Sequence, residues 1–325
     1  MQKKEISNQI IEEKCKVVFV GAGYMTVEHI KAFSKISSAE LCGIFSRTKT
    51  RAEKISAQYE GILVCNSISE LYDTTKADLV VISVPELSTN EVCKEASKFP
   101  WVCLVEKPVG YNLDDAGIIL KYFKNNNAYV ALNRRYYSST KNVLNKIAEV
   151  EGQRVIHVFD QEDQIAARKA HQPELVVLNW MYANSIHIID YLRLFGRGNI
   201  VSVENIIPWN PDNPSFVMAK IIFDSGDIGI YEAIWNAPGP WSVSINAGNT
   251  RWEMRPLEQA SVQLYGSRSL VNTDISDKDI NFKPGLYVQA EEAIKAARGL
   301  SHSLPSLNEA MESMKLISEI YREET

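Results

Sequence analysis

Cysteine is scarce in this sequence, and its arrangement excludes a disulfide scaffold. The 325 residues include five cysteines, an odd number, and none of the five forms a CxxC motif or lies beyond residue 103. Most of them lie in apolar runs such as LCGIF and WVCLVE, which predicts small core residues. Such apolar surroundings raise the pKa of a thiol rather than lower it, so we expect no cysteine nucleophile.

A strong charge excess and long hydrophobic runs are missing as well. Lys and Arg number 35 and Asp and Glu 40, and a net charge of −5 lacks the positive field of a nucleic-acid-binding protein. The apolar run over residues 79–84 is far shorter than a membrane span. The N-terminal segment MQKKEISNQIIEEK has no apolar core of signal-peptide length. We expect a soluble, cytoplasmic protein without a nucleic-acid or membrane partner.

The composition is that of a globular protein, with 45% hydrophobic and 23% charged residues, and the length suggests two domains. Short apolar runs such as KVVFV alternate with helical patterns in the first 133 residues, which is typical of a parallel sheet covered on both faces. After about residue 150, strand-like segments joined by short turns, such as residues 224–227, predict an antiparallel sheet. Asn112 caps a helix predicted to run to about Lys124, and Ser306 with Glu309 predicts a capping box for the last helix.

A glycine-rich loop follows the first predicted strand. GAGYMT begins at Gly21, directly after KVVFV, and opens a helical pattern. Gly21 supplies the tight turn, and Gly23 leaves room for phosphates beside the free N–H groups of the helix start. Thr26 occupies the place of the third glycine in the GxGxxG fingerprint. The position of the loop favours a Rossmann dinucleotide-binding domain over an ordinary strand-to-helix turn.

The end of the second predicted strand bears on the choice of dinucleotide. It reads Ser46-Arg47-Thr48, without the acidic residue that binds both ribose hydroxyls and repels a 2′-phosphate. Ser46 can hydrogen-bond to ribose or phosphate, and Arg47 can stack on adenine and pair with a phosphate. These charges favour NADP, and NAD is the alternative if Arg47 only stacks on adenine.

A Glu-Lys-Pro turn, Glu106 to Pro108, follows an apolar strand and places a lysine at the carboxyl end of a parallel strand, where open α/β sheets bind ligands. Together with the glycine loop, the VISVP strand and the ALNRRYY stretch, this turn resembles the Gfo/Idh/MocA oxidoreductase family over nearly the whole chain. The resemblance implies an α/β fold, with a Rossmann domain followed by an α/β domain that has a large, mostly antiparallel sheet. We place these domains at residues 1–135 and 136–325.

The resemblance also implies hydride exchange between a nicotinamide and a hydroxyl of a sugar or cyclitol. Ser46 and Arg47 would lie at the adenosine, Glu106 would reach the nicotinamide ribose, and Lys107 would touch the reacting oxygen. The full set implied to contact the cofactor is Gly21, Gly23, Tyr24, Met25, Ser46, Arg47, Pro85, Glu86, Glu106 and Lys107. If the exposed face of the second sheet is apolar, the family implies a homodimer or homotetramer through that face.

The family carries an Asp-x-x-x-His pair, and here this sequence departs from the pattern. The matching stretch is WMYANSIHIID, in which His187 fits the histidine but Ala183 replaces the carboxylate. Asn184 can share a helical face with His187 and orient the substrate or the imidazole. Asp190, three residues after His187, is predicted to be a structural carboxylate.

Alcohol oxidation removes a proton from oxygen, and this proton needs a positioned group with a pKa near the working pH. A histidine pKa starts near about 6.5, whereas a lysine pKa starts near about 10.4 and must be lowered. We therefore expect His187 to be the acid/base and Lys107 to polarise the oxygen, with the reverse assignment as a close alternative.

The substrate is expected in the cleft between the domains. We predict contacts from Asn184, Arg135, Tyr136 and Trp180, although Trp180 can equally pack in the core. The polar stretch that includes His171 is a candidate lid. The other histidines, His29 among them, are weaker candidates, and no pair has metal-ligand spacing, so we predict no metal.

The sequence thus predicts an NAD(P)-dependent dehydrogenase or reductase for a polyhydroxylated small molecule. One alternative is a non-catalytic NAD(P)-binding regulator or structural protein, because Ala183 removes the expected carboxylate. A second alternative is an enzyme that holds NAD tightly for transient oxidation during epimerisation or glycoside cleavage.

Overall fold

The N-terminal lobe is built on a parallel sheet. The structure is a computed structural model that describes residues 13–123 and 127–322. The strands of the first sheet are β1 (Cys15–Val20), β2 (Ala39–Phe45), β3 (Leu63–Cys65), β4 (Leu79–Ile82), β5 (Val102–Glu106) and β6 (Ala128–Ala131). They lie in the order β3-β2-β1-β4-β5-β6 and pair in parallel. The strand order therefore reverses between β1 and β4, at the position where doubly wound sheets bind ligands.

Helices alternate with these strands and cover them. They are α1 (Tyr24–Phe33), α2 (Lys49–Ser56), α3 (Ile68–Thr75), α4 (Glu86–Ala96) and α5 (Leu113–Tyr122). All four residues of β4 are buried, as expected for a strand with helices on both faces. Asn112 caps α5 as predicted, and Lys124 lies outside the described residues, as does most of the N-terminal segment discussed above.

The second lobe follows β6. Its first elements are the 3₁₀ turn Asn133–Tyr136, α6 (Ser138–Ile147), β7 (Arg154–Glu162), α7 (Gln164–Lys169), α8 (Glu174–Leu178), a π-helical turn at Met181–Ser185, and α9 (Ile186–Phe195). Strands then dominate: β8 (Ile200–Ile207), β9 (Phe216–Phe223), β10 (Ile228–Trp235), β11 (Ser242–Ala247), β12 (Thr250–Met254), β13 (Ala260–Leu264) and β14 (Val271–Asn272). The last helices are α10 (Asp277–Asn281), α11 (Leu286–Ala297) and α12 (Leu307–Ile320).

The eight strands of the second sheet have the order β14-β13-β12-β11-β7-β10-β9-β8. All neighbours pair antiparallel except β7 and β10, which run parallel. The predicted hairpin at residues 224–227 joins β9 and β10. This architecture confirms the predicted fold class, while the short strands β12 and β14 were not predicted.

One face of the second sheet is covered and the other is open. Along β7, β9 and β10 every second residue is buried, because α9 and α12 pack on that side. The alternate residues, including Phe159, Met218 and Ile230, lie on the open face and are only partly covered.

The C-terminal helices join the two lobes. Helix α11 packs against α1, and α12 packs against both α9 and α5. The capping box predicted for α12 is present, with Ser306 and Glu309 hydrogen-bonding each other's backbone N–H groups. The position of the lobe boundary in sequence stays a prediction.

The cysteines are free thiols, and four of the five are buried. Burial raises the pKa of Cys15 to about 12, which is unsuited to a nucleophile. Within the described part of the chain, no helix combines the length and the apolar character needed to cross a membrane.

Candidate active site

A groove of about 510 Å³ lies at the carboxyl ends of β1, β2 and β4, where the strand order reverses. Its walls include Gly21, Gly23, Tyr24, Met25, Ser46, Arg47, Pro85 and Glu86. The structure therefore brings together eight of the ten residues predicted to contact a cofactor. Gln172, from the stretch predicted to be a lid, also borders this groove, so that part of the second lobe reaches the mouth of the first.

The glycine loop forms an open cradle at the start of α1. Gly21 has a φ of +115°, and a Cβ there would lie 1.9 Å from the Ser83 carbonyl oxygen, so no other residue fits. A Cβ on Gly23 would meet nothing within 4 Å, which means that space is open against the backbone. Gly23 is the N-cap of α1 and offers no capping side chain. The N–H groups at this helix start are thus available to phosphate oxygens.

The adenosine end of the groove is cationic. Arg47 and Arg51 both border it beside Ser46. The Arg47 guanidinium donates a hydrogen bond to Ser88 Oγ at 2.8 Å, which holds the side chain at the groove. A dinucleotide phosphate would find two positive charges at this position.

Glu106 contacts His29, a histidine that the sequence marked only as a weaker candidate for the site. Its Oε1 lies 2.7 Å from Nε2 of His29, a buried residue on α1. His29 therefore fixes the carboxyl group at the end of β5 relative to the helix that carries the glycine loop. The only indication of this contact in the sequence was a histidine on the inward face of α1, and a histidine in such a position most often packs in the core.

Lys107 makes a contact between the two lobes. Its Nζ donates a hydrogen bond to the backbone oxygen of Ala183, in the π-helical turn, at a distance of 3.0 Å. Burial lowers the pKa of Lys107 below its ordinary value; the charge of Arg134 adds to this effect, whereas Glu106 opposes it.

His187 lies in the first turn of α9, four residues after Ala183. Burial, together with the charges of Lys107, Arg134 and Lys283, lowers its pKa well below the ordinary value. The imidazole is therefore neutral at pH 7, and its buried Nδ1 has no hydrogen-bond partner among the described residues. Its ring meets the Trp241 indole edge-on, with centroids 6.3 Å apart.

Arg134 is the third cation of this cluster. Its guanidinium carbon lies 4.2 Å from the centroid of the same Trp241 ring. The indole is held in turn by a hydrogen bond from its Nε1 to the Gln161 carbonyl oxygen. Arg134 and His187 thus contact one aromatic side chain, and the charge of Lys107 acts on the same imidazole.

Two of the predicted substrate contacts, Arg135 and Tyr136, have hydrogen-bond partners inside the fold. Arg135 forms two hydrogen bonds of 2.7 Å with Asp190, which makes Asp190 structural as predicted and leaves the guanidinium engaged inside the fold. Tyr136 is 1% exposed, and its hydroxyl donates to the Ser303 carbonyl oxygen. The 3₁₀ turn at Asn133–Tyr136 directs Arg134, rather than either of these side chains, toward Trp241.

The other two predicted contacts, Trp180 and Asn184, border the π-helical turn. Trp180 is partly buried and packs against the core, and Asn184 Nδ2 donates to Glu162 Oε2 at 2.9 Å. Glu162 and Lys283 belong to no recognisable sequence motif, so the sequence did not predict a role in the site for either residue.

A doubly wound sheet with a glycine cradle, and a lysine at the end of β5, are features typical of dinucleotide-binding oxidoreductases. Residues 15–134 match the family described as "Oxidoreductase family, NAD-binding Rossmann fold", Gfo/Idh/MocA. This match confirms, for that part of the chain, the resemblance found in the sequence. No protein with a curated description matches the chain.

Solved structures extend the similarity in fold to the second lobe. A levoglucosan dehydrogenase in complex with NADH and L-sorbose is 17% identical, with 95% of this chain and 96% of that chain covered and a TM-score of 0.79. A putative NADPH-dependent oxidoreductase from Desulfitobacterium hafniense is also 17% identical, with 94% of each chain covered and a TM-score of 0.78. UDP-N-acetylglucosamine 3-dehydrogenase from Acidithiobacillus ferrooxidans is 15% identical, with coverage of 94% and 96% and a TM-score of 0.75. At such identities the similarity is one of fold alone.

Proposed function

We propose that this protein is an NAD(P)-dependent dehydrogenase or reductase that acts on a secondary hydroxyl or ketone of a sugar, sugar derivative or cyclitol. The observation that carries the proposal is the contact of Lys107 with the turn leading to His187, because it joins the two groups suited to proton chemistry at one place. That place is at the carboxyl ends of the parallel strands, beside the dinucleotide groove.

The chemistry divides between the cofactor and the chain. A bound dinucleotide supplies the hydride acceptor or donor. In alcohol oxidation, neutral His187 accepts the hydroxyl proton, while the Lys107 ammonium donates a hydrogen bond to the same oxygen as negative charge develops on it. In the reverse direction, His187 returns the proton. The low pKa of His187 favours its role as a base at neutral pH.

The role of Lys107 in the reaction and the choice between NAD and NADP each have support in the structure. A lysine that keeps its charge at neutral pH suits the polarising role, although its lowered pKa also keeps the reverse assignment open. Arg47 and Arg51, without an acidic residue after β2, support NADP as the preferred cofactor.

The open face of the second sheet supports an oligomer. Phe159, Met218 and Ile230 lie on neighbouring strands of this face, with the charged residues Glu232 and Lys220 between them. Exposed apolar side chains with charged residues around them are typical of a surface that binds a second subunit. We propose a homodimer or homotetramer that forms through this face.

The test is turnover of NADP⁺ and NAD⁺ with hexoses, amino sugars, nucleotide sugars and inositols, followed by the absorbance of the reduced nicotinamide. We expect reduction with one class and none without substrate. Binding of either dinucleotide without turnover in any combination would favour the regulatory alternative, and substrate conversion without net NADH release would favour transient oxidation.

A further inference from the structure

Two carboxyl groups lie buried behind the π-helical turn, and the chemistry proposed above does not use them. Asp160 and Glu162 stand two residues apart on β7, so their side chains project from the same face of the sheet. Both residues are 0% exposed. Among the described residues, neither forms an ion pair. Two negative charges in this position would be costly, because both groups are buried and neither is held in an ion pair in the described part of the chain.

The hydrogen bonds around the pair leave one buried carboxyl oxygen without a donor among the described residues. Glu162 accepts from Asn184 Nδ2 at 2.9 Å and from Ser185 Oγ at 3.0 Å. Asp160 Oδ2 accepts from the Tyr231 hydroxyl at 2.7 Å, whereas its buried Oδ1 receives nothing from a fixed donor. The two carboxyl groups are neighbours on one face of β7, and two carboxyl oxygens can hydrogen-bond each other only if one of them is protonated.

The surroundings favour Glu162 as the protonated member. Burial and the adjacent Asp160 raise the pKa of Glu162 well above its ordinary value. The other titratable groups near the pair are Tyr231 on β10 and Tyr321 after α12, whose hydroxyls lie 2.7 Å apart, and Lys107 of the first lobe. Burial raises the pKa of both tyrosines, so they remain neutral donors.

The pair determines how Asn184 is oriented. Because the amide nitrogen is bound to Glu162, the amide oxygen is turned away from the acid pair, and it accepts no hydrogen bond within the described residues. Asn184 is only partly buried and lies three residues before His187, so the two share one side of the helical segment. A fixed hydrogen-bond acceptor is therefore presented next to the imidazole.

We propose that Asp160 and Glu162 share one proton, and that protonated Glu162 is a positioning residue that holds the Asn184 amide oxygen toward the substrate, where it accepts a hydrogen bond from a hydroxyl. This inference rests on the proposed function, since it assigns Asn184 to the same site. The roles are distinct: Asn184 contacts the substrate, and Glu162 acts only through Asn184.

The first experiment compares substitutions at Glu162. Glu162→Gln keeps the shape, the acceptor for Asn184 or Ser185, and a donor toward Asp160, and it leaves the net charge of the pair unchanged. We expect its kcat/KM to stay within about threefold of the parent, whereas Glu162→Ala frees the amide and lowers kcat/KM by about 10- to 100-fold. The Kd for the dinucleotide should not change in either variant, because Glu162 does not border the groove.

A double-mutant cycle tests whether Glu162 acts through Asn184. Asn184→Ala should lose about as much activity as Glu162→Ala, and the double variant should be no worse than Asn184→Ala alone. A merely structural role would give additive losses. Asp227→Asn is the matched control: it alters another 0% exposed carboxyl of this sheet, one paired with Arg197 at the opposite end of β10, and should affect stability but not kcat/KM.

Infrared spectroscopy of the protein without substrate tests the shared proton independently of activity. The carbonyl stretch of a protonated carboxylic acid should be present at pH 7 and should disappear in Glu162→Gln. If this band is absent, or if Glu162→Gln loses as much activity as Glu162→Ala, the shared proton is overturned. If the band is present but no sugar is turned over by any variant, the proposed function fails and the positioning role with it, while the acid pair itself stands.

Discussion

The Lys107 ammonium donates a hydrogen bond to the backbone oxygen of Ala183, a residue from the other lobe of the molecule, at 3.0 Å. This contact replaces the side-chain partner that a carboxylate at position 183 would have given. It places the lysine one helical turn from His187 and leaves its remaining donors free for a substrate oxygen. Lys107 is therefore held by the second lobe even though residue 183 is not acidic.

The first prediction concerns these two residues. His187→Asn and Lys107→Met should each lower kcat by about 10²- to 10⁴-fold, because each removes a group that acts on the reacting oxygen. Dinucleotide affinity should be largely retained in His187→Asn, as measured by fluorescence titration. A loss of less than about tenfold in both variants would contradict the assignment.

The pH dependence of alcohol oxidation follows from the pKa shifts. The base must be unprotonated, so kcat/KM should fall as the pH drops through the His187 pKa, which lies well below its usual value of 6.5. Lys107→Met removes a charge that lowers this pKa, so the acidic limb of its residual activity should move to higher pH. Substitution of the remote surface residue Lys146 should leave the limb in place. A limb that is unchanged in Lys107→Met would show that the two groups do not interact.

Cofactor choice should depend on Arg47. We expect Arg47→Ala to weaken NADP⁺ binding by about tenfold, which corresponds to the loss of a charged hydrogen bond, and to affect NAD⁺ less. Lys49→Ala is the control, because this neighbouring lysine is engaged with Asn66 outside the groove. Isothermal titration with both dinucleotides measures the difference. Equal effects on both dinucleotides would mean that Arg47 contacts only their common part.

The pair of Arg135 and Asp190 should matter for stability rather than for substrate binding. Asp190→Ala leaves a buried guanidinium unpaired and should lower the free energy of unfolding by about 3–5 kcal/mol. Arg168→Ala breaks an exposed ion pair with Glu174 and should change the stability little. Denaturant unfolding distinguishes the two. A stable Asp190→Ala protein with a raised substrate KM would restore the substrate role predicted for Arg135.

The open sheet face gives a prediction about assembly. Ile230→Lys places a charge between His157 and Lys220 on this face and should convert the oligomer to monomers in sedimentation experiments, because the added charge would have to be buried beside another cation. Val271→Lys, on the exposed strand β14, should not change the assembly. An unchanged mass for Ile230→Lys would place the interface elsewhere.

The sequence by itself determined the order of the elements, the glycine cradle, the lysine after β5 and the histidine of α9, because these depend on local spacing: apolar runs, turn residues and short motifs. The tertiary structure alone decided which of two adjacent arginines reaches the site. Arg134 and Arg135 are equivalent in the sequence, but the 3₁₀ turn directs one to Trp241 and the other to Asp190. The same holds for Glu162, which stands 21 residues before Ala183 in the chain and meets its turn only because β7 runs beneath it. Contacts of this kind depend on how distant segments pack, and local sequence patterns carry no information about them.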